Sequence, residues 1–118
     1  MKLIGSKTEQ EIREQLIRSN QSFFKSEEDK RLIEVVKYEY PEMKTAYIIY
    51  WIPEQDEDIY YILINDRLIS IIDLNRNNYE VKPVVKTLTV KQYLQGLSKQ
   101  KQITLAVALD LAQQDLKA

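Results

Sequence analysis

Two residue types with reactive side chains, cysteine and histidine, are absent from this 118-residue sequence. Without cysteine there is no disulfide framework, no thiolate nucleophile and no cysteine ligand for zinc. Without histidine the chain lacks the side chain whose unperturbed pKa lies nearest to neutral pH, which is also the commonest metal ligand. Serine–histidine and cysteine–histidine catalysis are therefore excluded, and we expect neither a metal nor a cofactor.

Glycine and proline are scarce, with two and three residues, which favours short connections between elements. Phosphate-binding loops need clustered glycines, and Gly5 and Gly96 are far apart, so the chain has no nucleotide-binding motif. The longest apolar run, residues 46–52, is much shorter than the roughly 20 residues of a membrane-spanning helix. The first residues lack the apolar stretch of a signal peptide. We therefore expect a soluble, cytoplasmic protein without membrane contact.

The helices of the chain are indicated by capping boxes and by apolar periodicity. Thr8 and Glu11 form a capping box that predicts an N-terminal helix over about 6–25, ended by the polar stretch 26–30. Thr89 and Gln92 form a second box that opens the first of two C-terminal helices. The last helix is predicted over about 102–116 and is apolar nearly all round, which indicates burial on more than one side.

Five segments between these helices are rich in Ile, Val and Tyr, a composition typical of strands. They are predicted at 31–40, 45–52, 59–64, 67–74 and 79–86. Short connections, including a two-residue Asn65-Asp66 turn, make each strand antiparallel to the next. The expected fold is α+β, a single domain over 1–118 with a five-stranded antiparallel meander. The middle strands are apolar on both faces; we expect the C-terminal helices to cover one face and the first helix the other.

A set of aromatic residues, placed on one sheet face by the predicted register, is the preferred functional surface. The set is Tyr38, Tyr40, Tyr47, Trp51 and Tyr60. Tyrosine and tryptophan combine a large contact area with a polar atom and are enriched where proteins bind each other. The alternative is that the first helix packs over these rings and makes them core. The sequence leaves that choice open.

The second predicted hairpin connection is acidic and contains Glu54, Asp56, Glu57 and Asp58. Such a loop would attract a basic protein partner. The alternating carboxylates also resemble the start of a calcium loop, but the glycine and the distal glutamate of that loop are missing, so no metal site is predicted. The alternative interpretation is a solvated loop without a ligand.

Lysines accumulate in the C-terminal third, where residues 81–109 contain no acid. The candidate cations are Lys82, Lys86, Lys91, Lys99 and Lys101. Clustered cations favour a nucleic-acid backbone, but no arginine joins them and no recognition motif is present. The alternative is a solvated surface that keeps the protein in solution.

Carboxylate catalysis is the remaining class of function. Glu34 falls between Leu32 and Val36 of the first predicted strand, and a carboxylate buried there would be a catalytic candidate. The alternative is a bulge that turns it outward. Glu34, Asp66, Asp73 and Glu80 are the carboxylates available for a pair, yet nothing in the sequence brings two of them to a defined separation.

The sequence therefore favours a small non-enzymatic binding module that acts by protein–protein contact, as a regulatory, inhibitor or immunity-like protein. Its partner would be a foreign protein or a second copy of the chain. A nucleic-acid-binding protein is the first alternative and a carboxylate-dependent enzyme the second. No motif connects the chain to a family, and fold analogy alone would not establish a function.

Overall fold

The computed structural model describes residues 3–25 and 30–118. Its fold is mixed α+β, with an antiparallel sheet and helices at both ends of the chain. In chain order the elements are α1 (Lys7–Lys25), α2 (Lys30–Glu39), β1 (Ala46–Pro53), β2 (Glu57–Ile64), β3 (Leu68–Asn75), β4 (Val84–Thr89), α3 (Val90–Leu94) and α4 (Lys99–Lys117). Each strand pairs with the next, in the spatial order β1-β2-β3-β4. The part of the chain that is described thus has four strands where five were predicted, and four helices where three were predicted.

The strand predicted at 31–40 is wrong, because this segment forms helix α2. Leu32 and Val36, four residues apart, are fully buried, whereas Tyr38 is 84% exposed. That spacing puts the two buried residues on one helical face. The β-branched residues of the segment favour a strand. The helix forms instead because it buries this narrow apolar stripe against the sheet. The helix break predicted at 26–30 falls largely outside the described residues.

The strand predicted at 79–86 is also misplaced, since β4 begins only at Val84. Asparagine side chains shape the segment before it: Asn75 Oδ1 accepts from the Asn77 and Asn78 amides, and Asn78 Oδ1 accepts from the Glu80 amide. Backbone donors satisfied in this way favour turns over strand pairing.

The starts of α1 and α3 are fixed by capping boxes, but the box of α1 lies two residues earlier than predicted. Ser6 Oγ accepts from the Glu9 amide at 3.2 Å, and the Glu9 carboxylate accepts from the amides of Ile4, Gly5 and Ser6. These amides, that of Ile4 most, lower the pKa of Glu9. The second box is confirmed, with Thr89 and Gln92 bonded reciprocally at 3.1 and 2.9 Å.

The turn between β2 and β3 sets the register of the sheet. Asn65 adopts a positive φ of 52°, and Ile64 pairs with Leu68, so the turn has one residue more than predicted. In addition, β1 carries a bulge at Ile49. A slip of one residue moves a strand's side chains to the other face. The predicted placement of Tyr47 and Trp51 on the same face is therefore wrong.

The middle of the sheet is apolar on both faces, as predicted, and each face has its own core. One face, here called the α1/α4 face, packs Tyr47, Leu63 and Ile69 against α1 and α4. The other, the α2 face, packs Ile62 and Ile72 against α2. The predicted coverage is corrected in one respect, because α1 shares its face with α4 and the second face is covered by α2.

Polar contacts attach α4 to its neighbours. Arg13 of α1 forms an ion pair with Asp110 at 2.8 Å. Near the end of α4, Asp115 Oδ2 accepts from the hydroxyls of Thr45, at 2.7 Å, and Tyr47, at 2.5 Å. Burial, together with Asp115, raises the pKa of Tyr47, so its hydroxyl remains a donor. In the described residues no helix has the length and apolar character needed to cross a membrane.

Candidate functional site

Strand β1 forms one edge of the sheet and presents two aromatic side chains. The bulge at Ile49 inserts one residue between Ile48 and Tyr50. As a consequence Tyr50 contacts Tyr61 on the α1/α4 face, whereas Trp51 lies on the α2 face. Their exposed fractions are 39% for Tyr50 and 53% for Trp51, so the same edge offers one ring on each side. Bulges often re-aim side chains in this way near binding sites.

Trp51 is held in place by its neighbours on β2. Its ring stacks on Tyr60, with centroids 6.2 Å apart and planes 7° from parallel. Its indole N–H donates to Asp58 Oδ1 at 3.1 Å. Two contacts of different kinds therefore fix the ring orientation while half of the side chain stays exposed.

Asp58 is the centre of a charged group beside this tryptophan. Arg76 donates to its two carboxylate oxygens through Nη2, at 2.6 Å, and Nε, at 3.1 Å. Donation from Arg76, then from Trp51, lowers the pKa of Asp58. Arg76 is itself anchored, because its amide donates to the Asp56 carbonyl at 2.8 Å. The hairpin and the segment after β3 are thus joined at the N–H edge of the Trp51 ring.

An open groove of about 940 Å³ runs along this edge of the sheet, here called the β1 groove. Its walls come from α1, β1, β2, the start of α4 and Arg76. The lining residues are Ile12, Gln15, Leu16, Ser19, Ile48, Ile49, Tyr50, Trp51, Pro53, Asp58, Tyr60, Arg76, Gln100 and Thr104. The lining combines aliphatic and aromatic surface with few charges, a mixture typical of binding sites.

The acidic hairpin lies at one end of the β1 groove, since Pro53 and Asp58, on either side of its turn, line the groove. In the turn, the Glu54 amide donates a hydrogen bond to the Glu57 carbonyl at 2.7 Å. The Asp56 carboxylate accepts one from the Asn77 side chain at 2.9 Å. Asp73, on the neighbouring strand, raises the pKa of Glu57 most, and Glu54 and Asp56 add to the effect. Within the described part of the chain, no three carboxylates are grouped so that they could hold a metal ion.

The five predicted aromatic residues do not share one face. Only Trp51 and Tyr60 come together in the groove. Tyr38 lies exposed on α2, and Tyr47 is 3% exposed in the α1/α4 core. The hydroxyl of Tyr40 donates to Ser70 Oγ at 2.8 Å and lies 2.6 Å from Thr87 Oγ1. The predicted common aromatic face is therefore wrong, because Tyr38 belongs to a helix and the bulge in β1 separates Tyr47 from Trp51. Of the five residues, Trp51 and Tyr60 line the groove together.

The other candidate residues are spread over the molecule. Glu34 is exposed on α2, so the buried carboxylate considered from the sequence is absent. Lys86 lies on β4, Lys91 on α3 and Lys99 on α4, all exposed, and Lys82 is exposed in the segment before β4.

Two members of the site were missed by sequence reasoning. The first is Arg76, whose contact with Asp58 depends on the turn after β3. The second is the ring of Tyr50, with the Lys101 ammonium 4.3 Å from its centroid. The unbroken apolar run of β1 could have indicated that a bulge was needed, but nothing in it locates the bulge at Ile49.

Comparison with known proteins gives no match: no family model, no curated protein and no solved structure shows significant similarity to the chain. No activity can therefore be transferred from a relative. The geometry of the β1 groove is the basis for the function proposed below.

Proposed function

We propose that the chain is a protein-binding module that holds a segment of a partner protein in the β1 groove. The observation that carries the proposal is Trp51, a large ring that is half exposed although two neighbours fix it. Tryptophan is among the residues that most often dominate binding energy at protein interfaces. An exposed ring that is already ordered loses little side-chain entropy on binding.

The shape of the groove supports a segment rather than a small molecule as the bound species. It is open along its length, it follows a sheet edge, and its aromatic residues lie on both sides of that edge. A sheet edge has backbone donors and acceptors that no neighbouring strand uses. The bulge at Ile49 interrupts any long ladder, so side-chain contacts with Trp51 and Tyr50 would dominate binding.

The test compares Trp51→Ala with Tyr38→Ala in affinity capture from cells that express the natural partner. Both substitutions remove an exposed aromatic ring, but Tyr38 lies on α2, away from the groove. We expect proteins captured by the wild type to be captured by Tyr38→Ala and lost with Trp51→Ala. Circular dichroism spectra identical to the wild type establish that both variants are folded. Capture that survives Trp51→Ala and fails with Tyr38→Ala would contradict the proposal.

A further inference from the structure

We infer that the partner segment bound in the β1 groove is basic, with an arginine or lysine side chain on the outer face of Trp51 beside the acidic hairpin. This inference rests on the proposed function and specifies the chemistry of the partner. It is carried by the orientation of the Trp51 ring and by the charges at one end of the groove.

The orientation of the ring leaves one π-face available. Tyr60 of β2 lies against one face of Trp51 in an offset stack. Because β2 is on one side of β1 and no strand is on the other, the second face of the ring is on the side of the unpaired edge. Tryptophan is the aromatic side chain that attracts cations most strongly. The described residues place no cation over this ring, whereas Tyr50 across the same edge already holds Lys101.

The charges at the hairpin end of the groove are unbalanced. Five acids lie on or beside the hairpin: Glu54, Asp56, Glu57, Asp58 and Asp73. Two arginines, Arg76 and Arg31, lie near this end of the sheet. Arg76 forms an ion pair with Asp58. Arg31 donates to the Asn75 carbonyl and stacks on Tyr79. Glu54 and Asp56 in the turn are exposed and form no ion pair with a described residue, so their charge is not neutralised locally. Glu57 and Asp73 point to the α1/α4 face, because their strand neighbours Tyr60, Ile72 and Leu74 belong to the α2 core. The charges available to a cation on Trp51 are therefore those of the turn, Glu54 and Asp56, on the same hairpin.

The experiments below distinguish a basic segment from two other possible occupants of the β1 groove. An acidic segment would meet repulsion at the hairpin and would need to bind near Lys101. A second copy of the chain could offer its own lysines, which would produce self-association at the same groove.

The first experiment is a selection of random peptides, displayed on phage, against the wild-type protein, with Trp51→Ala as the counter-target. We expect the peptides that depend on Trp51 to be enriched in arginine and lysine over the input library. Dependence on Trp51 with neutral or acidic peptides would overturn the inference and leave the proposed function standing. If no peptide depends on Trp51, the proposed function fails as well.

The second experiment measures the affinity of one selected peptide for charge variants. Glu54→Gln with Asp56→Asn removes two charges and keeps side-chain size and hydrogen-bond acceptors. We expect this double variant to weaken binding about fivefold to tenfold at low salt, as the loss of two exposed charge contacts implies, and less at high salt. The matched control is Glu39→Gln with Glu42→Gln, which removes two charges far from the hairpin and should leave the affinity unchanged. Equal effects of both pairs would contradict the inference.

Self-association is measured on the same proteins without peptide, by sedimentation equilibrium. A monomer at the concentrations used for binding is the expected result. If the wild type forms a dimer and the Glu54→Gln, Asp56→Asn variant does not, the groove binds a second copy of the chain and the inference of a basic partner segment is wrong.

Discussion

At the scale of single residues, the carboxylates of the acidic hairpin repel each other and so destabilise the folded state. Glu57 lies close to Asp73 on the neighbouring strand, and Glu54 and Asp56 add to the negative charge around it. Burial of apolar surface elsewhere must compensate for this repulsion. Residues kept in an unfavourable environment often serve binding, since a ligand of opposite charge relieves the strain that the free protein tolerates.

Glu57→Gln is expected to stabilise the protein at neutral pH. The pKa of Glu57 is raised above its ordinary value of 4.5, so the folded state binds the proton more tightly than the unfolded state. The folded state is therefore penalised as the pH rises above about 4.5, and the penalty is absent below that value. Thermal unfolding should show a higher Tm for the variant at pH 7 and a smaller difference at pH 4. Glu11→Gln, at an exposed site on α1, is the control; an equal gain there would refute this account.

Tyr47→Phe is expected to destabilise the fold by about 1.5–3 kcal/mol, the contribution of a hydrogen bond to a charged group. The substitution keeps the buried ring and removes only the hydroxyl that donates to Asp115. Urea unfolding measures the difference. Tyr38→Phe, which removes an exposed hydroxyl on α2, should change the free energy of unfolding very little, and a comparable loss there would argue against the role given to Asp115.

At the scale of elements, local signals predicted some segments well and failed where tertiary contacts decide. Thr89 and Gln92 were recognised because a capping box is a property of four consecutive residues. The strand prediction for 31–40 is wrong because its β-branched residues fit a strand as well as a helix. Only the packing of Leu32 and Val36 against the α2 face favours the helix. Likewise Trp51 and the acidic loop could be named from the sequence, but Arg76 reaches Asp58 through a turn that no local pattern specifies.

Substitution of Glu34 distinguishes a helix from a strand at 31–40. The side chain is exposed, so intrinsic preference determines the outcome. In helix α2, Glu34→Ala should be more stable than Glu34→Thr by about 0.5 kcal/mol. In a strand the order would reverse, since threonine is favoured there. Urea unfolding of the two variants gives the sign directly, and greater stability of Glu34→Thr would contradict the assignment of α2.

At the scale of the whole molecule, one sheet separates two cores. The α1/α4 core and the α2 core have no helix in common, but both use side chains of β1, β2 and β3. Successive residues of a strand point to opposite faces, so the loss of order on one face disturbs the backbone that supports the other. The two cores are therefore coupled through the strands.

This coupling predicts a single unfolding transition. Leu105→Ala in the α1/α4 core and Leu32→Ala in the α2 core should each lower the free energy of unfolding by about 2–4 kcal/mol. For both variants, far-UV circular dichroism and tyrosine absorbance should report the same midpoint. Separate transitions in the Leu32→Ala variant would show that α2 is released before the rest of the sheet.

The position of Trp51 also gives the molecule a built-in optical label. It is the one tryptophan of the chain, and it forms part of a wall of the β1 groove. Its emission maximum therefore reports the polarity of that wall without a dye or a tag. Shielding of the half-exposed indole by a bound segment would shift the emission to shorter wavelength, and unfolding would shift it to longer wavelength. Occupancy of the groove and integrity of the fold can thus be followed in one spectrum of the untagged protein.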